Sequence, residues 1–443
     1  MPLGSLYSGQ GENMGRPRMQ FLLTAAIAVT LAGGSALAAE VIEPDLLLEG
    51  LTLSFGHSGM AQDYLRGKEL LEQACVDGRS AACGSWSWRR PEGPEPSAVV
   101  AHFEPACRDG DPVACLPAAW VLLDPAYETP DATLGQELLQ TSCDLGLPEG
   151  CAELALAGLR GTIPMARLTS IDLLSQACTD GSGTACAALA QEDTSASNEL
   201  ADRACALDSL WGCAILAEAE IKSSQTEKGL ALHKMACDDG YLGSCLALGQ
   251  RYSRGDGVAA DPKQALRIFE RSCQWGDSKS CEEAGTMLLS GTLVPADPTA
   301  AWGLIQEGCT LGDVDQCRQV VAYGPPFALS DAAFVAVAQT LTNRCLHQDN
   351  AACGSLGLAN VLGAGVPQDI DWGLDVLGRS CTEGDAASCQ DLGKIHTFGA
   401  GVDADKSTAR GFYLQACQAG LEESCRALPK RMRPDVAADV PKG

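Results

Sequence analysis

All 22 cysteines of this 443-residue chain fall in pairs spaced by eight, and that spacing constrains the fold more than any other feature. The pairs are Cys75 and Cys83, Cys107 and Cys115, Cys143 and Cys151, Cys178 and Cys186, Cys205 and Cys213, Cys237 and Cys245, Cys273 and Cys281, Cys309 and Cys317, Cys345 and Cys353, Cys381 and Cys389, and Cys417 and Cys425. From Cys237 onward the first member recurs every 36 residues. A fixed period of this size marks a solenoid of stacked supersecondary units. The earlier steps are 32, 36, 35, 27 and 32 residues, so the units before Cys237 are less regular. Only 18 residues separate Cys186 from Cys205, which predicts that one helix of that unit is short.

One unit is clearest between Cys245 and Cys273. Cys245, Leu248, Gly249 and Tyr252 recur at helical spacing, and Gly255 and Gly257 then end a first helix. Asp261 can accept hydrogen bonds from the free amides of a new helix, and Pro262 suits its first turn because its missing N–H loses nothing there. Ala265, Leu266 and Phe269 give this second helix an apolar face that closes at Cys273. Gly285, Gly291 and Asp297, then Gly357, Gly363, Gly365 and Asp369, then Gly393, Gly399, Gly401 and Asp405 repeat these marks. The unit is therefore a helical hairpin.

The third residue after the first cysteine is glycine in nine of eleven pairs, Asp208 and Gln348 being the exceptions. A glycine just past a helix end turns the chain back, so the next helix starts beside the last and the two sulfurs come within bonding reach. Each bridge then ties the second helix of one hairpin to the first helix of the next. Zinc knuckles place two to four residues between their cysteines and often use histidine; here seven intervene, and the chain has only five histidines. No Cys-x-x-Cys redox motif occurs. Such a cysteine load belongs in an oxidising compartment, and only 5% aromatic residues leave each hairpin a thin core that a covalent link reinforces.

The N-terminus agrees with export. Arg16 and Arg18 precede an apolar run over 21–32, and Ala36-Leu37-Ala38 supplies small residues for cleavage, the form of a secretory signal peptide. Residues 1–13 have no such logic, and Met14 and Met19 are alternative starts. The run is broken by Gly33-Gly34 well short of a membrane span, and no later run is long enough for one. The chain divides into a signal peptide over 1–38, an N-terminal capping helix region over 39–60, a solenoid over 61–428 (irregular over 61–236, regular over 237–428) and a C-terminal tail over 429–443.

Leu-Gly, a helical-phase Tyr, Gly-x-Gly-Val, then Asp and a second amphipathic helix, as in Leu248-Gly249, Tyr252, Gly255-Asp256-Gly257-Val258 and Asp261, resembles the Sel1-like repeat, a relative of the tetratricopeptide repeat. The cysteine-bridged form is similar to the Helicobacter cysteine-rich protein family and to a mitochondrial intermembrane-space assembly factor for cytochrome oxidase. The resemblance spans 61–428 and departs from the pattern where Leu288, Asn360 and His396 replace the Tyr. It implies an all-α, right-handed α/α solenoid cross-linked by disulfides, with a concave face that holds another protein. It also implies two alternatives, a penicillin-binding or weak beta-lactamase activity and a role in assembling a respiratory or metal-containing complex.

The residues themselves show little chemistry. None of the ten lysines has a serine three positions earlier, and no Gly-x-Ser-x-Gly elbow, His-Glu-x-x-His or phosphate-cradling loop occurs. His57, His102, His233, His347 and His396 are scattered over five units and read as packing or surface residues, His396 as a substitute for the repeat Tyr. No catalytic, cofactor or metal site is read from the sequence. The basic and aromatic cluster Trp88, Arg89 and Arg90 is one candidate contact for a partner. The variable first-helix positions supply the others: Gln250, Leu358 and Lys394 at one offset, Arg254, Leu362 and Phe398 at a second. A formal charge of −26 excludes nucleic acid as a natural partner. The same charge fits either a partner with basic patches or plain solubility. The expectation is a monomeric, periplasmic or secreted scaffold for a protein or peptide.

Overall fold

The computed structural model describes residues 96–123, 130–192, 197–324 and 329–433. All of them lie in one compact unit, Pro44–Gly443. The signal peptide, the capping region, His57, the Cys75 and Cys83 pair, Trp88, Arg89, Arg90 and the tail beyond residue 433 lie outside the described residues.

Among the described residues there are α-helices, a 3-10 turn at Lys430–Met432 and no strand. The helices are α1 (Pro96–Arg108), α2 (Cys115–Leu123), α3 (Ala132–Asp144), α4 (Pro148–Leu159), α5 (Arg167–Thr179), α6 (Gly183–Glu192), α7 (Ser197–Ala206), α8 (Leu210–Lys222), α9 (Thr226–Asp238) and α10 (Leu242–Arg254). They continue as α11 (Pro262–Gln274), α12 (Ser278–Ser290), α13 (Pro298–Thr310), α14 (Val314–Tyr323), α15 (Asp331–Leu346), α16 (Asn350–Leu362), α17 (Ile370–Thr382), α18 (Ala386–Phe398), α19 (Lys406–Gln418) and α20 (Glu422–Ala427). Each helix packs on the next, so α2–α3 through α18–α19 form consecutive hairpins of an α/α solenoid.

The sequence marks do the work expected of them. The Asp261 carboxylate accepts from the Gln264 amide at 2.9 Å, and Asp297, Asp369 and Asp405 cap α13, α17 and α19 in the same way. The first helix ends at Gly255, whose φ of 80° is left-handed and suits a residue without a side chain. Within a hairpin, Gly249 lets Phe269 lie against the α10 backbone: a Cβ there would stand 2.8 Å from Phe269 Cδ1. Gly285 faces Ile305, Gly357 faces Leu377 and Gly393 faces Tyr413 in the same manner. His396 stacks on Phe412 with ring centroids 5.6 Å apart.

Ten cysteine pairs form disulfides among the described residues, from Cys107–Cys115 in chain order to Cys417–Cys425, with Cα atoms 4.4 to 4.8 Å apart. Each joins the end of one hairpin to the start of the next. At the α11–α12 junction, the Asp277 amide reaches back to the Ser272 carbonyl at 3.0 Å, and the Asp277 side chain then caps α12. Asp208 and Gln348 adopt left-handed φ values of 61° and 64°, so the turn forms even where glycine is missing. Apart from Gln316 and Arg344, the residues before the paired cysteines of the described disulfides are Ala, Ser or Gly, where the helices meet. Where Gln316 replaces one of them, Gly308 replaces the other, and a Cβ at 308 would collide with the Gln316 amide.

Two units depart from the expected form. Between Cys186 and Cys205 the shortening is shared, α6 and α7 having ten residues each, rather than falling on one helix. In the unit after Cys309, inside the stretch expected to be regular, α14 stops after ten residues, because Pro325 and Pro326 offer no N–H to continue it, and α15 runs to 16.

Candidate functional site

The first helices α8 and α10 bring together a polar cleft of about 120 Å³ lined by Glu218, Ala247, Gln250, Arg251, Arg254 and Asp256. Two of the sequence-selected positions, Gln250 and Arg254, therefore share one site. Gln250 Nε2 donates to Glu283 Oε1 on α12 at 2.7 Å. Arg251 Nη2 donates to both oxygens of Glu218, at 2.8 and 2.9 Å. Arg254 is exposed and makes no ion pair or hydrogen bond among the described residues.

Behind the cleft, His233 on α9 is 2% exposed and links three helices. Its Nε2 lies 3.0 Å from Glu218 Oε1 and its Nδ1 lies 3.1 Å from Ser244 Oγ. An ionised carboxylate can only accept, so neutral His233 donates from Nε2 and accepts the Ser244 hydroxyl at Nδ1. Burial would raise the Glu218 carboxyl, but hydrogen bonds from Arg251 and His233 outweigh it and hold Glu218 below the usual glutamate range. Burial pushes the His233 imidazole below its usual value, although Glu218 pulls the other way. This is a serine–histidine–carboxylate chain, yet Ser244 is fully buried, so no substrate reaches its hydroxyl and the chain ties helices together.

A depressed histidine makes this junction acid-sensitive. The folded form prefers neutral His233, so its contribution is complete above about pH 6.5 and is lost as the pH falls toward the lower folded value. His233→Gln is expected to flatten the loss of stability between about pH 7 and pH 5, by at most about 1.4 kcal/mol per pH unit. Urea midpoints across that range check it; identical pH slopes for variant and wild type would refute the assignment.

A second cluster lies across α14, α16 and α18. Arg318 on α14 reaches past α16, with Nη1 2.6 Å from Asp391 Oδ2 and Nη2 2.7 Å from Asp385 Oδ2 on the α18 segment. On the way it donates to the Ala351 carbonyl at 3.3 Å. Gly354 leaves room, since a Cβ there would stand 3.0 Å from Asp385 Oδ2 and collide with Ser388. Beside this cluster Lys394 Nζ donates to Tyr323 Oη at 2.8 Å and lies 5.4 Å from the centre of its ring. Burial pushes the Asp391 carboxyl above the usual aspartate range against the pull of Arg318 and Lys394. Burial would lower the Lys394 ammonium, but Tyr323 and Asp391 more than reverse it, and its affinity for the proton is raised.

These contacts correct the reading of Leu358 and give Lys394 partners within the chain. Leu358 is 4% exposed and belongs to the core, because α14 and α18 close over α16, so it offers nothing to a partner. Lys394 is held by Tyr323 and Asp391 instead of standing free. Leu362 and Phe398 are exposed, at 43% and 78%. Glu218 and Arg251 were missed by sequence reasoning, although Glu218 follows Cys213 by the same five residues as Gln250 follows Cys245. Asp385 recurs with Asp277, Asp313 and Asp349 as a helix cap every 36 residues, but Arg318 and Asp391 carry no periodic signal that would bring them to it.

Among the described residues no group of three His, Cys, Asp or Glu side chains is placed to hold a metal ion, and no helix is long and apolar enough to cross a membrane.

The geometry defines a disulfide-stapled α/α solenoid with polar groups arrayed on its first helices. The Sel1 repeat family matches residues 50–75, 243–277, 278–313 and 386–421, and the chain carries Sel1 repeats. The first of these segments lies outside the described residues. A protective antigen of uropathogenic Escherichia coli displaying an SLR fold is similar at 17% identity, over 87% of this chain and 88% of that one, with a TM-score of 0.41. A Sel1 repeat protein from Oxalobacter formigenes is similar at 16% identity, over 49% of this chain and 86% of that one, with a TM-score of 0.36. No curated protein sequence matches the chain significantly.

Proposed function

We propose that the protein is an exported, monomeric scaffold that seats a partner protein or peptide on the concave face formed by its first helices. The observation that carries this reading is the cleft over α8 and α10, where Arg254 has no partner among the described residues and stands beside Gln250 and a fixed Glu218–Arg251 pair. An arginine at the rim of a polar cleft favours a partner carboxylate or carbonyl, which it can meet with two parallel hydrogen bonds. Ten disulfides fit an oxidising compartment, and Sel1 repeats serve as platforms for protein contacts. Cross-linking capture from the periplasmic or secreted fraction, with wild type and Arg254→Glu in parallel, tests it. A partner recovered by the wild type and lost with the variant is expected; equal recovery by both, or none by either, would sink the proposal.

A further inference from the structure

The large apolar side chains left in solvent are not spread evenly. Tyr323, Leu362 and Phe398 end first helices, and Val335 and Trp372 begin second helices, with exposures of 59%, 43%, 78%, 43% and 41%. Leu293, 49% exposed, lies in the turn between α12 and α13. All six therefore flank the turns within hairpins, on the edge opposite the disulfide turns. Two of those turns rest on the start of the preceding second helix. The α16–α17 turn sits on the start of α15, where Gly365 meets the Phe334 carbonyl. The α18–α19 turn sits on the start of α17, where a Cβ at Gly401 would stand 2.9 Å from Ile370 Cδ1. Because successive hairpins pack on one another, the side chains thus lie along one edge of the stack.

The rim is also acidic. Residues 291–300, 329–335, 362–372 and 398–410 carry Asp297, Asp331, Asp369, Asp371, Asp403 and Asp405 against only Lys406 and Arg410. All six carboxylates are exposed, and the Asp405 carboxyl is held below the usual aspartate range by hydrogen bonds from Thr408 and the backbone, so it stays charged. An apolar strip interleaved with carboxylates repels an anionic lipid surface and matches a chain that alternates apolar and cationic side chains.

We infer that this hairpin-turn rim from α12 to α19 is a second docking surface, and that its occupant is a polypeptide segment whose apolar side chains are flanked by Lys or Arg. The inference rests on the scaffold reading and assigns it a partner chemistry at a place apart from the cleft. Phe398, Trp372 and Leu362 act as the apolar anchors, and the aspartates steer and orient the cations.

Fluorescence anisotropy with a labelled synthetic amphipathic peptide of Leu and Lys tests it, using the intact oxidised protein. The Leu/Lys peptide is expected to bind, and the same peptide with Glu for Lys is not. Phe398→Ser combined with Leu362→Ser is expected to weaken binding by about tenfold or more. Leu346→Ser, on the disulfide edge and 76% exposed in the wild type, is expected to leave it unchanged. Equal binding by wild type and the Phe398/Leu362 variant would overturn the rim. So would preferential binding to phosphatidylcholine vesicles, which would assign it to lipid. Peptide binding lost with Arg254→Ala but kept with the Phe398/Leu362 variant would overturn the rim while leaving the scaffold intact. A captured partner without any Leu/Lys peptide binding would do the same.

Discussion

Complete reduction is expected to unfold the protein at room temperature. Each bridge closes nine residues, which on a chain-entropy account stabilises by about 2.5 kcal/mol. The ten loops of the described residues do not overlap, so their effects accumulate along the stack. Even a few of them match the 5–15 kcal/mol by which ordinary domains are stable. The cores they reinforce are thin, built largely of Ala, Cys and Leu, with Phe103 and Phe269 the only phenylalanines among the largest fully buried side chains of the described residues. Far-UV circular dichroism of the reduced, alkylated chain against the oxidised one reads the result. A reduced chain that keeps its helix content and its cooperative melt would show that packing alone holds the solenoid.

The second large effect belongs to Arg318. Its side chain is 11% exposed and its partners Asp385 and Asp391 are 13% and 5% exposed. Arg318→Ala strands two carboxylates in a poorly solvated site, and removing one partner of a buried ion pair costs about 3–5 kcal/mol. The cost should shrink in acid. Asp391 already has a raised affinity for its proton, and a neutral Asp391 no longer needs the guanidinium, so variant and wild type converge as the pH falls through its folded value. Guanidinium midpoints at neutral and acidic pH measure both statements. A neutral-pH loss below about 0.5 kcal/mol, the range of ordinary surface changes, would show that the cluster is solvated and weak.

Arg318 also shows where sequence reading stops. Helix ends at Gly255 and Gly363, caps at Asp261 and Asp369, and the pairing of cysteines eight apart were legible because each depends on residues within one turn of the chain. The small residues before most of the bridged cysteines were equally local but overlooked, though Gly308 opposite Gln316 records the packing plainly. Gln250 and Arg254 were found because the repeat register exposes variable positions, and the same register could have found Glu218.

Leu358 defeated that logic: its offset matched Gln250, yet it is core, because α14 and α18 meet across it. That meeting depends on the shortened α14, on the missing side chain at Gly354 and on an arginine bonding to residues 67 and 73 positions away.

The hairpins, their period and their covalent junctions were readable from the residues alone, since all of these follow from backbone preferences and contacts between near neighbours along the chain. Which first-helix positions face solvent, where the apolar rim runs, and that ion pairs clasp repeats two apart at Arg318 emerged only from the packing of the folded chain. Those outcomes depend on how successive hairpins lean on one another, a sum of small rotations that no single repeat encodes.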